Sequence, residues 1–256
     1  MRIIDAHTHP IFASQRKNPR EIDALVAHGR AAGLSHMVVL GDVVRHGAFP
    51  TEKEIQIIND ESAGLRRRHP DFFSNLCFIN PTLGERAVSR EIERCVSQHG
   101  FVGIKLEYCN NARARCMGPV MAAARRWRVP VLQHSWSMEH IRQRRFHSDP
   151  EDTAALGRKY PDVTIIMAHL SGCEARGVLE IKDLSNVVVD TSGGTPVAGL
   201  VEYAVEQLGP NRVLFGSDLT GRATTVALAR VTAADLSAAD KRKILHDNAA
   251  RVFGLG

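Results

Sequence analysis

Two histidines one residue apart, His7 and His9, close a short apolar run that begins at Ile3. In a strand, successive side chains alternate between faces, so both imidazoles point the same way and one ion can reach both. A pair this short also arises by chance, with one ring packed and the other in solvent. The positions of the other polar residues lift it above chance. Later apolar runs close on Lys105 and Glu107, His134, His169 and Asp218. Neutral imidazole nitrogens with one carboxylate are the donor set of a catalytic zinc or similar divalent ion. Such a site keeps a position open for water and lowers the pKa of that water toward neutrality.

These residues share one edge only if the runs carrying them are parallel strands. The pattern supports this. Apolar runs at 3–9, 37–40, 72–79, 101–107, 129–134, 163–169, 186–190 and 213–218 alternate with segments of helical spacing. Pro19 opens the first helix, which stops at Gly33, and Thr51 with Glu54 reads as a capping box for the second. Helices follow over 85–98, from about Ala112 to Trp127, over 151–160 and, weakly, over 174–181. Leu200, Ala204, Val205 and Leu208 mark the next, and the end of the chain is helical. Near-continuous apolar strands are those covered on both faces, and their alternation with helices means a parallel sheet. Eight units in 256 residues favour an α/β (β/α)8 TIM barrel, a single domain over 1–256, with its site at the carboxyl ends of the strands. An open doubly wound sheet is the alternative, weakened because no Gly-x-Gly-x-x-Gly follows the first strand.

Composition narrows the class. Apolar residues make up 44% of the chain and charged residues 24%, enough for a sizeable core. No apolar run approaches the roughly 20 residues that span a bilayer, and no basic-then-apolar leader opens the chain. Five scattered cysteines without a Cys-x-x-Cys pair suggest neither a disulfide framework nor a zinc ribbon, so a cytoplasmic setting is expected. The net charge of +5 suits an anionic substrate or a nucleic acid, and equally a solvated surface.

Several stretches resemble the amidohydrolase superfamily, and within it the amidohydrolase-2 branch that holds relatives of aminocarboxymuconate semialdehyde decarboxylase. They are Ile4-Asp5-Ala6-His7-Thr8-His9, Gly103-Ile104-Lys105-Leu106, Ala168-His169-Leu170-Ser171-Gly172, Asp190-Thr191-Ser192-Gly193, Phe215-Gly216-Ser217-Asp218 and the ending from Lys243 to Leu255. The resemblance implies a divalent metal, zinc by expectation, as one or two ions. His7 and His9 would bind it, His134 would add a third nitrogen and Asp218 the carboxylate. Asp218 would also serve as general acid or base, and His169 would stand beside the reactive water or bind a second ion. Lys105 lies where two-metal relatives carry a carboxylated lysine.

Two departures from the branch bear on function. Lys105-Leu106-Glu107 stands where Lys-Leu-His is frequent, so Glu107 is a candidate metal ligand or the salt-bridge partner of Lys105. Leu219-Thr220-Gly221-Arg222 replaces a frequent Tyr-Pro at the pocket. Arg222, Arg16 and Lys17 are candidates to hold a substrate carboxylate or phosphate, or else ordinary surface charges; Trp136 lines the pocket or packs. The leading expectation is a hydrolase that turns a metal-activated water on an amide, ester or lactone of a small organic molecule. A decarboxylase of a small unsaturated acid is the closest rival. A TatD-type deoxyribonuclease is third, set back by Gly216-Ser217-Asp218 on the last strand. A non-enzymatic binding barrel is the reading from another class. The expected partner is a small, anionic substrate; a nucleic acid is disfavoured, no membrane is involved, and self-association stays open.

Overall fold

The computed structural model describes every residue except Met1, Ser14, Arg16, Asn110, 138–145, Thr195 and Gly256. Arg16 and the arginine-rich stretch after Ser137 therefore lie outside the described residues.

Eight parallel strands follow one another around a single sheet in chain order, which rules out the doubly wound alternative. They are β1 (Ile3–Thr8), β2 (Leu34–Val39), β3 (Phe73–Phe78), β4 (Gly103–Leu106), β5 (Val131–Gln133), β6 (Ile165–Met167), β7 (Val187–Asp190) and β8 (Val213–Leu214). The ends meet: Ala6 N–H donates to Phe215 O and Asp218 N–H to His7 O, both at 2.9 Å. The result is a (β/α)8 barrel. Inside it, Ile4, Val38, Leu76, Leu132, Ile166 and Leu214 pack into one cluster. The opposite faces of the same strands meet the helices through residues such as Met37, Phe73 and Val131. Two apolar faces explain why the strands read as unbroken apolar runs.

The helices are α1 (Pro19–Ala31), α2 (Glu52–Arg68), α3 (Glu85–His99), α4 (Met117–Trp127), α5 (Pro150–Lys159), α6 (Leu170–Ile181), α7 (Leu200–Leu208), α8 (Thr224–Thr232), α9 (Ala238–Arg242) and α10 (Asn248–Phe253). Thr51 and Glu54 form the expected capping box, and Asn18 with Glu21 forms another ahead of Pro19. Among the described residues no helix is long and apolar enough to cross a membrane. All five cysteines are free.

Strand β2 begins three residues before the expected run at 37–40, β4, β5 and β6 are shorter than their apolar runs, and three further elements differ in ways that bear on the site. Helix α4 starts at Met117 rather than near Ala112, because Asn111 Oδ1 accepts from Arg113 N–H at 2.8 Å and turns the chain first. Helix α6 starts four residues early, directly after His169, whose left-handed backbone (φ 69°) turns strand into helix without a loop; its helical spacing is broken at Glu174 (φ 55°). Strand β8 keeps only two ladder residues. Beyond it, side chains replace the ladder: Gly216 N–H donates to Thr191 Oγ1 at 3.1 Å and Ser217 N–H to Asp5 Oδ1 at 2.9 Å. A Cβ at Gly216 would fall 2.9 Å from the Cβ of His7, so glycine is what lets Asp218 approach β1.

Candidate metal centre

Each predicted donor sits at or just past the carboxyl end of its strand. His9 is fixed by the backbone: its Nδ1 lies 2.7 Å from Gly41 O. A carbonyl oxygen only accepts, so Nδ1 carries the proton and Nε2 presents a lone pair. For His7, Nδ1 lies 2.9 Å from Asp190 Oδ2, and its buried Nε2 has no hydrogen-bond partner. Asp218 completes the group, with Oδ1 3.7 Å from His7 Nε2 and 3.9 Å from His9 Nε2. The ligand atoms of His7, His9 and Asp218 all lie within 4.8 Å of one another. Three lone-pair donors aimed at one another without a proton between them are unfavourable unless a cation joins them. The arrangement fits a divalent ion. His7, His169 and Asp190 form a second close group, but there Asp190 and His7 satisfy each other by hydrogen bonding.

A second chain of contacts runs through Glu107. Its Oε2 pairs with the buried Lys105 ammonium at 2.9 Å and its Oε1 meets His134 Nδ1 at 2.8 Å. With Nδ1 committed to a carboxylate, His134 leaves its Nε2 buried and without a hydrogen-bond partner, and it belongs to neither close group of potential ligands among the described residues. His169 links the two halves: Nε2 lies 3.1 Å from His134 Nδ1, and Nδ1 lies 2.9 Å from Ser192 Oγ. Ser192 Oγ also donates to Asp190 Oδ1, which accepts from the His169 backbone N–H at 3.2 Å.

Electrostatics follow the burial. Burial works to raise the Glu107 carboxyl, but the neighbouring His134 and Lys105 charges and their hydrogen bonds hold it well below the usual range. Burial likewise opposes ionisation of Asp190, and the His7 ring beside it brings its pKa below the usual value. Burial, then the neighbouring His7 ring, push His9 down to about 3; burial with the His7 and His134 rings takes His169 well below its ordinary value. Both rings are thus neutral near pH 7, the form that binds metal.

Above these donors lies a cavity of about 400 Å³. Lys105, Glu107, His9, His134, His169 and Asp218 face it from the strand ends, while Phe12, Val43, Val44, Tyr108 and Trp136 supply a largely apolar wall. The Tyr108 ring lies 4.4 Å from both the His134 ring, edge-on, and the His147 ring, tilted. Trp136 lies so close over Gly172 that a Cβ there would fall 2.5 Å from the ring. Arg222 reaches the cavity from the segment after Asp218; Lys17 is not among its lining residues. Asp190 and Ser192, which contact His7 and His169, are not among the site residues expected from the sequence. Asp190 carried a signal, since it closes an apolar run at the same edge as the histidines.

The chain belongs to the amidohydrolase family, whose Amidohydro_2 model matches residues 4–255, and is an enzyme of the amidohydrolase superfamily. Among curated proteins no match is found. Solved structures similar in fold include 2,6-dihydroxybenzoate decarboxylase from Rhizobium, with a TM-score of 0.78, 18% identity, and 99% of this chain and 98% of that one covered. A dihydroxybenzoic acid decarboxylase from Polaromonas, with bound manganese and the inhibitor 2-nitroresorcinol, gives 0.73 and 18%, covering 99% and 97%. 4-Oxalomesaconate hydratase from Rhodopseudomonas palustris gives 0.71 and 17%, covering 98% and 95%. At such identities the likeness establishes the fold.

Proposed function

We propose that this protein is a metal-dependent decarboxylase of a small aromatic or conjugated carboxylic acid. The observation that carries this reading is the pairing of the His7–His9–Asp218 group with a cavity of about 400 Å³, in which a polar floor at the strand ends meets a wall formed by Phe12, Val43, Val44, Tyr108 and Trp136. Loss of carbon dioxide converts a hydrated carboxylate into a neutral molecule, so an apolar wall that strips water from the carboxylate favours it, whereas hydrolysis needs water admitted. The two decarboxylases of the same fold support the same direction. The hydrolase expected from the sequence becomes the second reading. A deoxyribonuclease finds no support, because Glu107, which prompted it, is engaged by Lys105 and His134.

His7, His9 and Asp218 would hold the ion, with His134 Nε2 as the further donor. The bound ion would supply Lewis-acid charge that orients the substrate's oxygen atoms and draws electron density from its ring. One ion suffices for this donor set, since Lys105 and Glu107 occupy each other; manganese joins zinc as a candidate. Asp218 is the group placed to move the proton. Its Oδ1 faces the two histidines and its side chain is 22% exposed, leaving Oδ2 for substrate. The bond between the ring carbon and the carboxyl would break, its electron pair staying on the ring carbon as carbon dioxide leaves; that carbon would take a proton relayed from water through Asp218, and the hydroxide left behind would combine with carbon dioxide as bicarbonate. Tyr108 and Trp136 form walls against which a planar ring stacks.

The test is a panel of hydroxybenzoates and unsaturated acids beside aryl esters and lactones, given to protein loaded with manganese or zinc. Carbon dioxide release from at least one acid is expected. Hydrolysis of an ester or lactone with no carbon dioxide from any acid would move the assignment to the hydrolase.

A further inference from the structure

Outside the cavity a wider groove, about 870 Å³, opens between the starts of α6 and α8. Trp136 and Arg222 line both spaces, so the groove and the cavity adjoin at these two side chains. Its guanidinium makes two long bonds, Nε to Gly193 O at 3.4 Å and Nη1 to Gly221 O at 3.3 Å. No carboxylate pairs with it among the described residues, so much of a planar five-donor fork is left for an oxyanion. Arg230 brings a second cation to the groove. It bonds Ser171 Oγ at 2.9 Å, Thr191 O at 3.0 Å and the carbonyls of Gly193 and Gly194, all neutral acceptors. Burial, then the nearby Arg222 charge, lower its pKa against the opposing pull of Asp218, a sign that the two cations are close. Glu174 also lines the groove, but it does not reach the inner cavity and pairs with neither arginine among the described residues. The two arginines thus place positive charge beside an apolar ring where the two spaces share Trp136 and Arg222, and Asp218 of the inner cavity is the opposing charge that acts on Arg230.

We propose that the substrate is a two-ended acid. While one carboxyl group reacts above His7, His9 and Asp218, a second carboxylate at the far end is held by the Arg222 guanidinium at the mouth of the outer groove. This rests on the decarboxylase reading, which sets the reacting end inside. Trp136 spans both spaces and supports the apolar body between the two acids. Arg230 keeps the Gly193–Gly194 backbone in place and adds attraction without touching the substrate. A monoacid would fill only the inner cavity and leave Arg222 to water.

Calorimetric titration of the metal-loaded protein with benzoate and with isophthalate tests this. Neither carries the ring hydroxyl that activates carbon dioxide loss, so binding is read without turnover. Isophthalate is expected to bind at least tenfold tighter than benzoate. Arg222→Gln should remove that advantage while leaving benzoate affinity within twofold, and Arg222→Lys should restore part of it. Equal affinity for the two acids in the unaltered protein, or an Arg222→Gln variant that loses both alike, would overturn the proposal. Failure of the functional reading shows elsewhere: no acid of the panel would release carbon dioxide, while the diacid preference and its dependence on Arg222 would stand.

Discussion

Asp190 Oδ2 lies 2.9 Å from His7 Nδ1, across 183 residues of sequence and within a fully buried pair. That contact fixes which nitrogen of His7 faces the candidate ion. Loss of such an outer partner commonly costs 10–100-fold in metal affinity. Asp190→Asn is therefore expected to weaken manganese or zinc binding by about that factor, measured by chelator competition, with a circular dichroism spectrum like the unaltered protein. Unchanged affinity would remove Asp190 from the metal site's support.

Glu107 is the sole carboxylate within ion-pair reach of the buried Lys105 among the described residues. Breaking a buried pair by removing one partner typically costs about 3–5 kcal/mol, because the other charge is stranded. Glu107→Gln should lose about that much in urea denaturation, and Lys105→Met combined with Glu107→Gln should recover a large part of it. Because the folded Glu107 carboxyl is held below its ordinary value of 4.5, its contribution is present above about that pH and is lost as pH falls further.

The buried histidines work in the opposite direction from salt-bridged ones. Folded His9 titrates near 3 against an ordinary 6.5, so below pH 6.5 the unfolded chain takes up a proton that the folded chain refuses. Stability then falls with falling pH by about 1.4 kcal/mol per pH unit for each such ring. In metal-free protein, denaturation at pH 7.5 and 5.5 should show the unaltered chain losing about 1 kcal/mol more than His9→Asn. Equal losses would contradict a neutral buried His9.

Gly172 exists to admit Trp136. A Cβ there meets three ring atoms at 2.5–2.8 Å, too close for any packing without a shift. Gly172→Ala should displace the indole, change tryptophan fluorescence and cost about 1–3 kcal/mol. A variant with unchanged fluorescence and stability would show that the ring does not rest on Gly172.

The barrel was legible because its strands bury both faces and so print as unbroken apolar runs, and the donors were legible because each closes such a run. His7 and His9 by themselves were ambiguous; their meaning came from Asp218 arriving beside them. What could not be read was pairing at a distance. Nothing local says that Asp190 rather than another carboxylate meets His7, or that Ser192 links His169 to Asp190. Glu107 was open between ligand and salt bridge because both are contacts of the same face; in the fold its oxygens meet Lys105 and His134. The early start of α6 was hidden by Glu174, whose left-handed backbone breaks the helical period. Arg16 lies outside the described residues, and Lys17 does not line the cavity, which leaves Arg222 as the loop cation that reaches it.

An ion joining His7, His9 and Asp218 underlies every step of the proposed chemistry. Manganese titrated into metal-free protein, followed by calorimetry with metal content per chain, measures it. One tightly held ion per chain is predicted, with affinity falling at least 100-fold in His9→Gln and in Asp218→Asn while both remain folded. Binding of the unaltered strength in those variants would contradict the metal centre and every step drawn from it.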